Sequence, residues 1–139
     1  MMAPSMCRAR VALPALVALA LALLGGGCGR PSTSAELVLK SGATLRVKLT
    51  EYRVSPQRVD VKAGPDGFAH LTLEAVNDGR VPHDLAVGRA GFIIGRTTTI
   101  KPGQTAIARG IELPVGTYRI FCTVSNHDVL GQYGFLVVK

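Results

Sequence analysis

Residues 43–54, ATLRVKLTEYRV, place Leu45, Val47 and Leu49 on one parity and Arg46, Lys48 and Thr50 on the other. Successive side chains of an extended chain point to opposite faces, so a stretch with this period of two can bury its apolar residues only as a β-strand with one wet face. The phase then breaks: Glu51 takes the apolar parity and Tyr52 and Val54 the polar one, which predicts a bulge or bend near Thr50–Tyr52. Further on, FAHLTLEAVN alternates again, with Ala69, Leu71, Leu73 and Ala75 against His70, Thr72 and Glu74. A short strand from Arg58 to Lys62 lies between two turns. HDLAV, TTTI, QTAIAR, TYRIFC and GFLVV read as further short strands, divided by NDGRVP, GRAGFIIG, KPG and LPVG. No window carries a helical period, and Gly or Pro stands at nearly every junction. The pattern predicts an all-β, Greek-key β-sandwich of seven to nine strands with antiparallel pairing.

The amino-terminal stretch obeys different rules. Arg8 and Arg10 precede the apolar run VALPALVALALALL, Val11 to Leu24, and three glycines lead to Cys28. The run is too short for a comfortable membrane span and reads as a signal peptide over residues 1–27. A cysteine directly after an apolar run and small residues resembles the bacterial lipoprotein signal, in which the cysteine is lipidated and becomes the new amino terminus. This sequence departs from it in having Gly25 where that signal usually has Leu. The expectation is a lipid-anchored protein of the cell envelope, periplasmic or on the outer face of the cytoplasmic membrane, with Cys28 as the lipidation site. Residues 28–34 form a polar tether and residues 35–139 one domain, long enough for a core of its own.

Without Arg8 and Arg10 the formal net charge falls from +7 to about +5. The charges are scattered singly among the strands, which argues against nucleic acid and leaves a mildly basic surface suited to an acidic partner or anionic lipid heads.

Of the three cysteines, Cys7 lies in the leader and Cys28 at its end, so Cys122 is alone in the folded part. A lone thiol in an exported chain needs a reason. Tyr118, Ile120 and Cys122 share the apolar parity of TYRIFC, so the thiol points inward where the strand meets a loop. That loop carries His127 and Gln132 in a Cys-x4-His-x4-Gln spacing, and Pro82 precedes a second imidazole, His83, which a strand end can bring to the same place. Taken singly, a buried Cys is most often a small hydrophobe, and His83 and Gln132 are ordinary loop residues. Jointly, two imidazoles, a thiolate and a weak amide donor form the ligand set of a blue copper site, and zinc could take the same ligands. His70, beside Thr72 and Glu74, reads as a surface histidine; Arg89, Arg96 and GFIIG carry no assignment.

The segments VKLTEYRVSPQRVDVKAG, N.G..PHDLAV, KPGQTA and LPVGTYRIFCTVSNH....G.YGFLVV together resemble the cupredoxins, the plastocyanin and azurin superfamily of small blue copper proteins, over about Ala43 to Val138. The resemblance implies one type 1 copper, with His83, Cys122 and His127 as equatorial ligands. Gln132 falls where most members have an axial Met, a choice similar to that of the stellacyanins, and Asn126 stands where many members have Gly. It also implies that Asp84, whose carboxylate could accept hydrogen bonds around Thr123, ties the two ligand segments together, and that the Asp84 N–H points at the Cys122 sulfur.

The expected function is electron transfer to transient protein partners by a monomer that is not itself an enzyme. The apolar residues Val81, Pro82, Val129 and Leu130 would form the docking patch around His127. Two other classes stand beside it: a copper delivery or storage protein, and a cupredoxin-like domain whose site is vestigial. The Met-rich or His-rich tracts that would favour delivery are missing, since all three Met precede Cys7.

Overall fold

The computed structural model describes residues 37–139. The leader, Cys28, the tether and the first two residues of the expected domain lie outside the described residues. Ten strands run in chain order: β1 Leu37–Lys40, β2 Thr44–Thr50, β3 Arg53–Ser55, β4 Arg58–Lys62, β5 Phe68–Asn77, β6 Ala86–Arg89, β7 Phe92–Arg96, β8 Thr105–Pro114, β9 Gly116–Phe121 and β10 Tyr133–Val138. They form a six-stranded sheet, β1-β4-β10-β9-β6-β7, and a four-stranded sheet, β3-β2-β5-β8, with no helix among the described residues.

Period two decides which side chains fill the space between the sheets. Leu45, Val47 and Leu49 of β2 and Ala69, Leu71, Leu73 and Ala75 of β5 are buried, and from the other sheet Val59, Val61, Val87, Ile120 and Leu136 meet them in one core. Burial is worth about 1.5–3 kcal/mol for each large aliphatic side chain, so this layer is the main favourable contribution to the fold. Tyr118 joins it with its ring, while its hydroxyl donates to the Pro114 carbonyl at 2.7 Å and so leaves no polar orphan.

Three expectations need correction and one is narrowed. The strand number is ten rather than seven to nine, because Leu37–Lys40 pairs along β4 and because GFIIG, read as a divider, pairs as β7 against β6. Phe92, Ile93 and Ile94 lie on an exposed edge strand, so no alternation marks them. The pairing is mixed: β1 with β4, β4 with β10 and β2 with β5 are parallel. Alternation fixes which face is buried and says nothing of a neighbour's direction, which here follows from repeated passage of the chain between sheets. Of the bulge or bend expected at Thr50–Tyr52, the structure has the bend, as a tight hairpin; β2 turns into β3 so that Leu49 sits opposite Val54 and both are buried. A real irregularity lies elsewhere, between Leu71 and Leu73 where β5 pairs with β8. Finally, TTTI is not a strand. Its Thr97 is buried and its hydroxyl accepts the Leu85 N–H at 3.0 Å, and only Ile100 pairs, with His83.

Candidate metal centre

One end of the sandwich gathers the chemistry. His83 stands just before β6 and exchanges two backbone hydrogen bonds with Ile100, His83 N to Ile100 O at 3.1 Å and Ile100 N to His83 O at 2.8 Å. Asn77 at the end of β5 pins the loop between: its amide donates to Val81 O at 2.9 Å and Ile100 O at 3.0 Å, and its oxygen accepts the Gly79 N–H at 2.9 Å. Cys122 follows β9 directly. Its N–H donates to Gln132 O at 3.1 Å and the Gln132 N–H donates to His127 O at 3.0 Å, so the loop from 122 to 132 is closed on itself by its own backbone. The imidazole of His127 is thereby folded back beside the thiol that precedes it by five residues.

His83 Nδ1, His127 Nδ1 and Cys122 Sγ converge: the nitrogens are 3.2 Å apart, and the sulfur lies 3.8 Å from the first and 3.6 Å from the second. One ion with bonds of about 2.0–2.1 Å to nitrogen and about 2.3 Å to sulfur holds two nitrogens about 3.3–3.6 Å apart and sulfur about 3.5–3.8 Å from each. The triangle is within about 0.1 Å of those dimensions. His83, Cys122 and Gln132 are wholly buried and His127 keeps 8% of its surface, so the imidazole of His127 is the ligand group nearest solvent. Gln132 donates through Nε2 to Thr50 O at 2.6 Å, while its Oε1 is buried with no hydrogen-bond partner. A buried carbonyl oxygen without a donor costs about 1–3 kcal/mol, and a cation is what would satisfy it.

Without a metal, burial keeps both groups neutral, the thiol with its proton and the imidazole without one. Burial pushes the Cys122 thiol up to about 11, against which the Asp84 N–H, 3.5 Å from the sulfur, works in the opposite direction. Burial lowers His83 as well, and the neighbouring His127 adds to this, so the ring presents a lone pair at neutral pH. A bound cation reverses the balance for the thiol, since a coordinating sulfur loses its proton outright.

Around the trio, Asp84 ties the two ligand segments: Thr123 N donates to Oδ1 at 2.6 Å and Thr123 Oγ1 to Oδ2 at 2.5 Å. Arg96, unassigned from the sequence, reaches the Thr123 hydroxyl at 3.3 Å. Two neighbours escaped the sequence reading altogether. Tyr52, in the β2–β3 turn, packs its ring 4.9 Å from that of His127, and Glu51 approaches His83 Nε2 at 3.4 Å. Glu51 did leave a trace, as a carboxylate on the apolar parity at the phase break. His70 lies outside the site on the wet face of β5, paired with Asp66 at 2.6 Å.

No protein-family model matches the sequence, and no curated protein is similar to it. The fold has clear counterparts among solved structures. Auracyanin B is similar at a TM-score of 0.59 and 16% identity, over 71% of this chain and 90% of its own. Auracyanin A, a "blue" copper protein from the green thermophilic photosynthetic bacterium Chloroflexus aurantiacus, is similar at 0.54 and 17% identity, over 69% and 98%. Reduced rusticyanin is similar at 0.53 and 18%, over 81% and 89%. His83, Cys122 and His127 fit one type 1 copper in donor type and in spacing. The chain has the cupredoxin fold, with a His-Cys-His group at one end of its sandwich.

Proposed function

We propose that the protein is an exported electron carrier that cycles one type 1 copper between Cu(II) and Cu(I), held by His83, Cys122 and His127 with Gln132 as axial donor. The observation that carries this reading is the convergence of three buried ligand atoms, all within 4.8 Å of one another, beside an unpartnered amide oxygen. Copper in such a site supplies a one-electron couple at a thiolate. The residues do the rest. The backbone bonds that close the 122–132 loop and the bridge from His83 to Ile100 hold the ligands in one arrangement, which supports a small structural change on electron transfer. His127, the ligand nearest solvent, offers the electron a way out.

Val129 is 80% exposed and Leu130 50%, with Pro82 exposed and Val81 half-buried; this apolar group near His127 suits brief docking by an acidic redox partner. The protein acts as a monomer, turns over no substrate and does not engage nucleic acid. Export by the leader and lipidation of Cys28 would hold the domain at the membrane of the cell envelope through the tether. Lipid detected by mass on the mature amino terminus, and lost in Cys28→Ala, tests the anchor.

The site is tested on the domain from Gly29 onward, loaded with one equivalent of Cu(II), by visible absorption and electron paramagnetic resonance. An intense thiolate-to-copper band with narrow hyperfine splitting, abolished in Cys122→Ser, is the expected result. A colourless protein, or one that binds only ordinary tetragonal Cu(II), would remove electron transfer from consideration.

A further inference from the structure

Behind the ligand ring of His83 lies a carboxylate that the sequence pattern did not assign. Its Nδ1 faces the thiol and the other imidazole; its Nε2 points the opposite way, to within 3.4 Å of Glu51 Oε1, and has no other partner. That oxygen is fixed, because it accepts the Arg80 N–H at 2.5 Å and the Val81 N–H at 3.0 Å. The loop is shaped to admit it. A Cβ on Gly79 would come within 2.4 Å of Glu51 Oε1 and 2.9 Å of His83 Nε2, so only glycine leaves room for the carboxylate to lie against the ring. A metal-ligating histidine commonly donates its second ring N–H to a carboxylate, which fixes the tautomer and raises the basicity of the ligating nitrogen. At 3.4 Å the contact is an ion-pair distance, longer than an ordinary N–H···O bond, and a small rotation of the ring or of the carboxylate closes it.

We propose that Glu51 is the positioning residue of the first histidine: anchored by the Arg80 and Val81 N–H groups, it accepts Nε2–H of His83, commits Nδ1 to the metal and places a negative charge behind the ligand. Its effect on the couple rests on the copper reading above; its placement does not. The β2–β3 hairpin thus serves the centre twice, through Glu51 on His83 and Tyr52 on His127. With the Glu51 side chain 30% exposed, water screens the charge, so the expected effect is tuning of the site rather than its loss.

The test compares Glu51→Gln and Glu51→Ala with the wild-type protein. Cu(II) affinity is read by competition with a chelator, the reduction potential by titration, and the His83 Nε2–H by nitrogen-15 NMR in the zinc-loaded and copper(I) forms. Glu51→Ala should lose Cu(II) affinity by on the order of 10–100-fold. Glu51→Gln keeps an acceptor oxygen and removes the charge, so it should raise the potential while losing less affinity. In the wild-type protein the Nε2–H should be visible, slow to exchange and shifted by either substitution. Cu(II) affinity within twofold of wild type together with an unchanged potential in both variants, or an Nε2–H that exchanges as fast as a free imidazole, would overturn the proposal. Should both variants fail to fold, the wild-type Nε2–H decides it alone. A wild-type protein without the thiolate-to-copper band sinks the copper reading instead, and the zinc-loaded spectrum still reports on Glu51.

Discussion

Replacing Gln132 by Met tests the axial role, because the structure separates what the side chain does for the fold from what it does for the metal. In the metal-free protein Gln132 makes one good bond, Nε2 to Thr50 O at 2.6 Å, and carries one orphan, Oε1. Met fills a similar volume and removes both. Losing the donor to Thr50 O costs about 1–3 kcal/mol and deleting the buried orphan returns about the same, so metal-free stability should move by no more than about 1 kcal/mol. The effect on the couple does not cancel. If the amide oxygen finds its partner in Cu(II) and gains little from the softer Cu(I), the lost preference is the same 1–3 kcal/mol, and for a one-electron couple at about 59 mV per tenfold this raises the potential by about 40–130 mV. The assays are urea unfolding without metal and a redox titration followed through the visible band. A potential that stays put or falls, with metal-free stability as expected, would falsify the assignment of Gln132 as a Cu(II)-favouring donor.

Other consequences can be read independently of the axial ligand. The Cys122 thiol is raised from 9.0 to about 11 in the folded metal-free protein, so its contribution to stability is complete below about pH 9 and is lost as pH rises toward 11. Urea midpoints should fall across that interval and the fall should vanish in Cys122→Ala. At the surface, the hydrogen bond that His70 donates to Asp66 raises His70 above 6.5, and the same bond lowers Asp66 below 3.8. The His70 part of this interaction is whole below about pH 6.5 and is lost as pH rises through the raised value, whereas the Asp66 part is present above 3.8 and is lost as pH falls through the lowered one. Asp66→Asn should return the His70 NMR titration to its ordinary range and leave metal binding untouched. In β10, a Cβ at position 134 would meet the Gln57 carbonyl oxygen at 2.4 Å, so Gly134→Ala should destabilise the domain by roughly 1–3 kcal/mol, measured as a drop in Tm.

The buried face of each long strand was legible because alternation is a local property: β2, β5 and β9 bury the parity that the sequence marks. Strand direction and the tenth strand were not, since parallel partners are set by crossovers between sheets and β7 is an exposed edge with no dry face to reveal it. The ligand trio was legible for a different reason. A lone thiol on an inward parity, with a histidine and an amide on the loop that must fold back over it, carries its chemistry within eleven residues, and Pro82 marks the entry of the distant imidazole.

What surrounds the trio was only partly legible, and the difference between Asp84 and Glu51 shows why. Asp84 adjoins a ligand in the chain, so wherever His83 goes Asp84 goes too, and its contact with Thr123, itself next to Cys122, follows from placing two ligands together. Glu51 is 32 positions from His83, and its reach depends on the β2–β3 turn, the Arg80 and Val81 N–H groups and the missing Cβ of Gly79 all at once. No spacing rule encodes that coincidence. Its one sequence trace was a charged residue standing out of phase on an apolar parity, which is the kind of local inconsistency a foldable chain retains when something other than stability requires it. The two carboxylates therefore complement each other physically: Asp84 locks the segment bearing the thiolate to the segment bearing His83, and Glu51 sets the rotation of the His83 ring once that segment is in place.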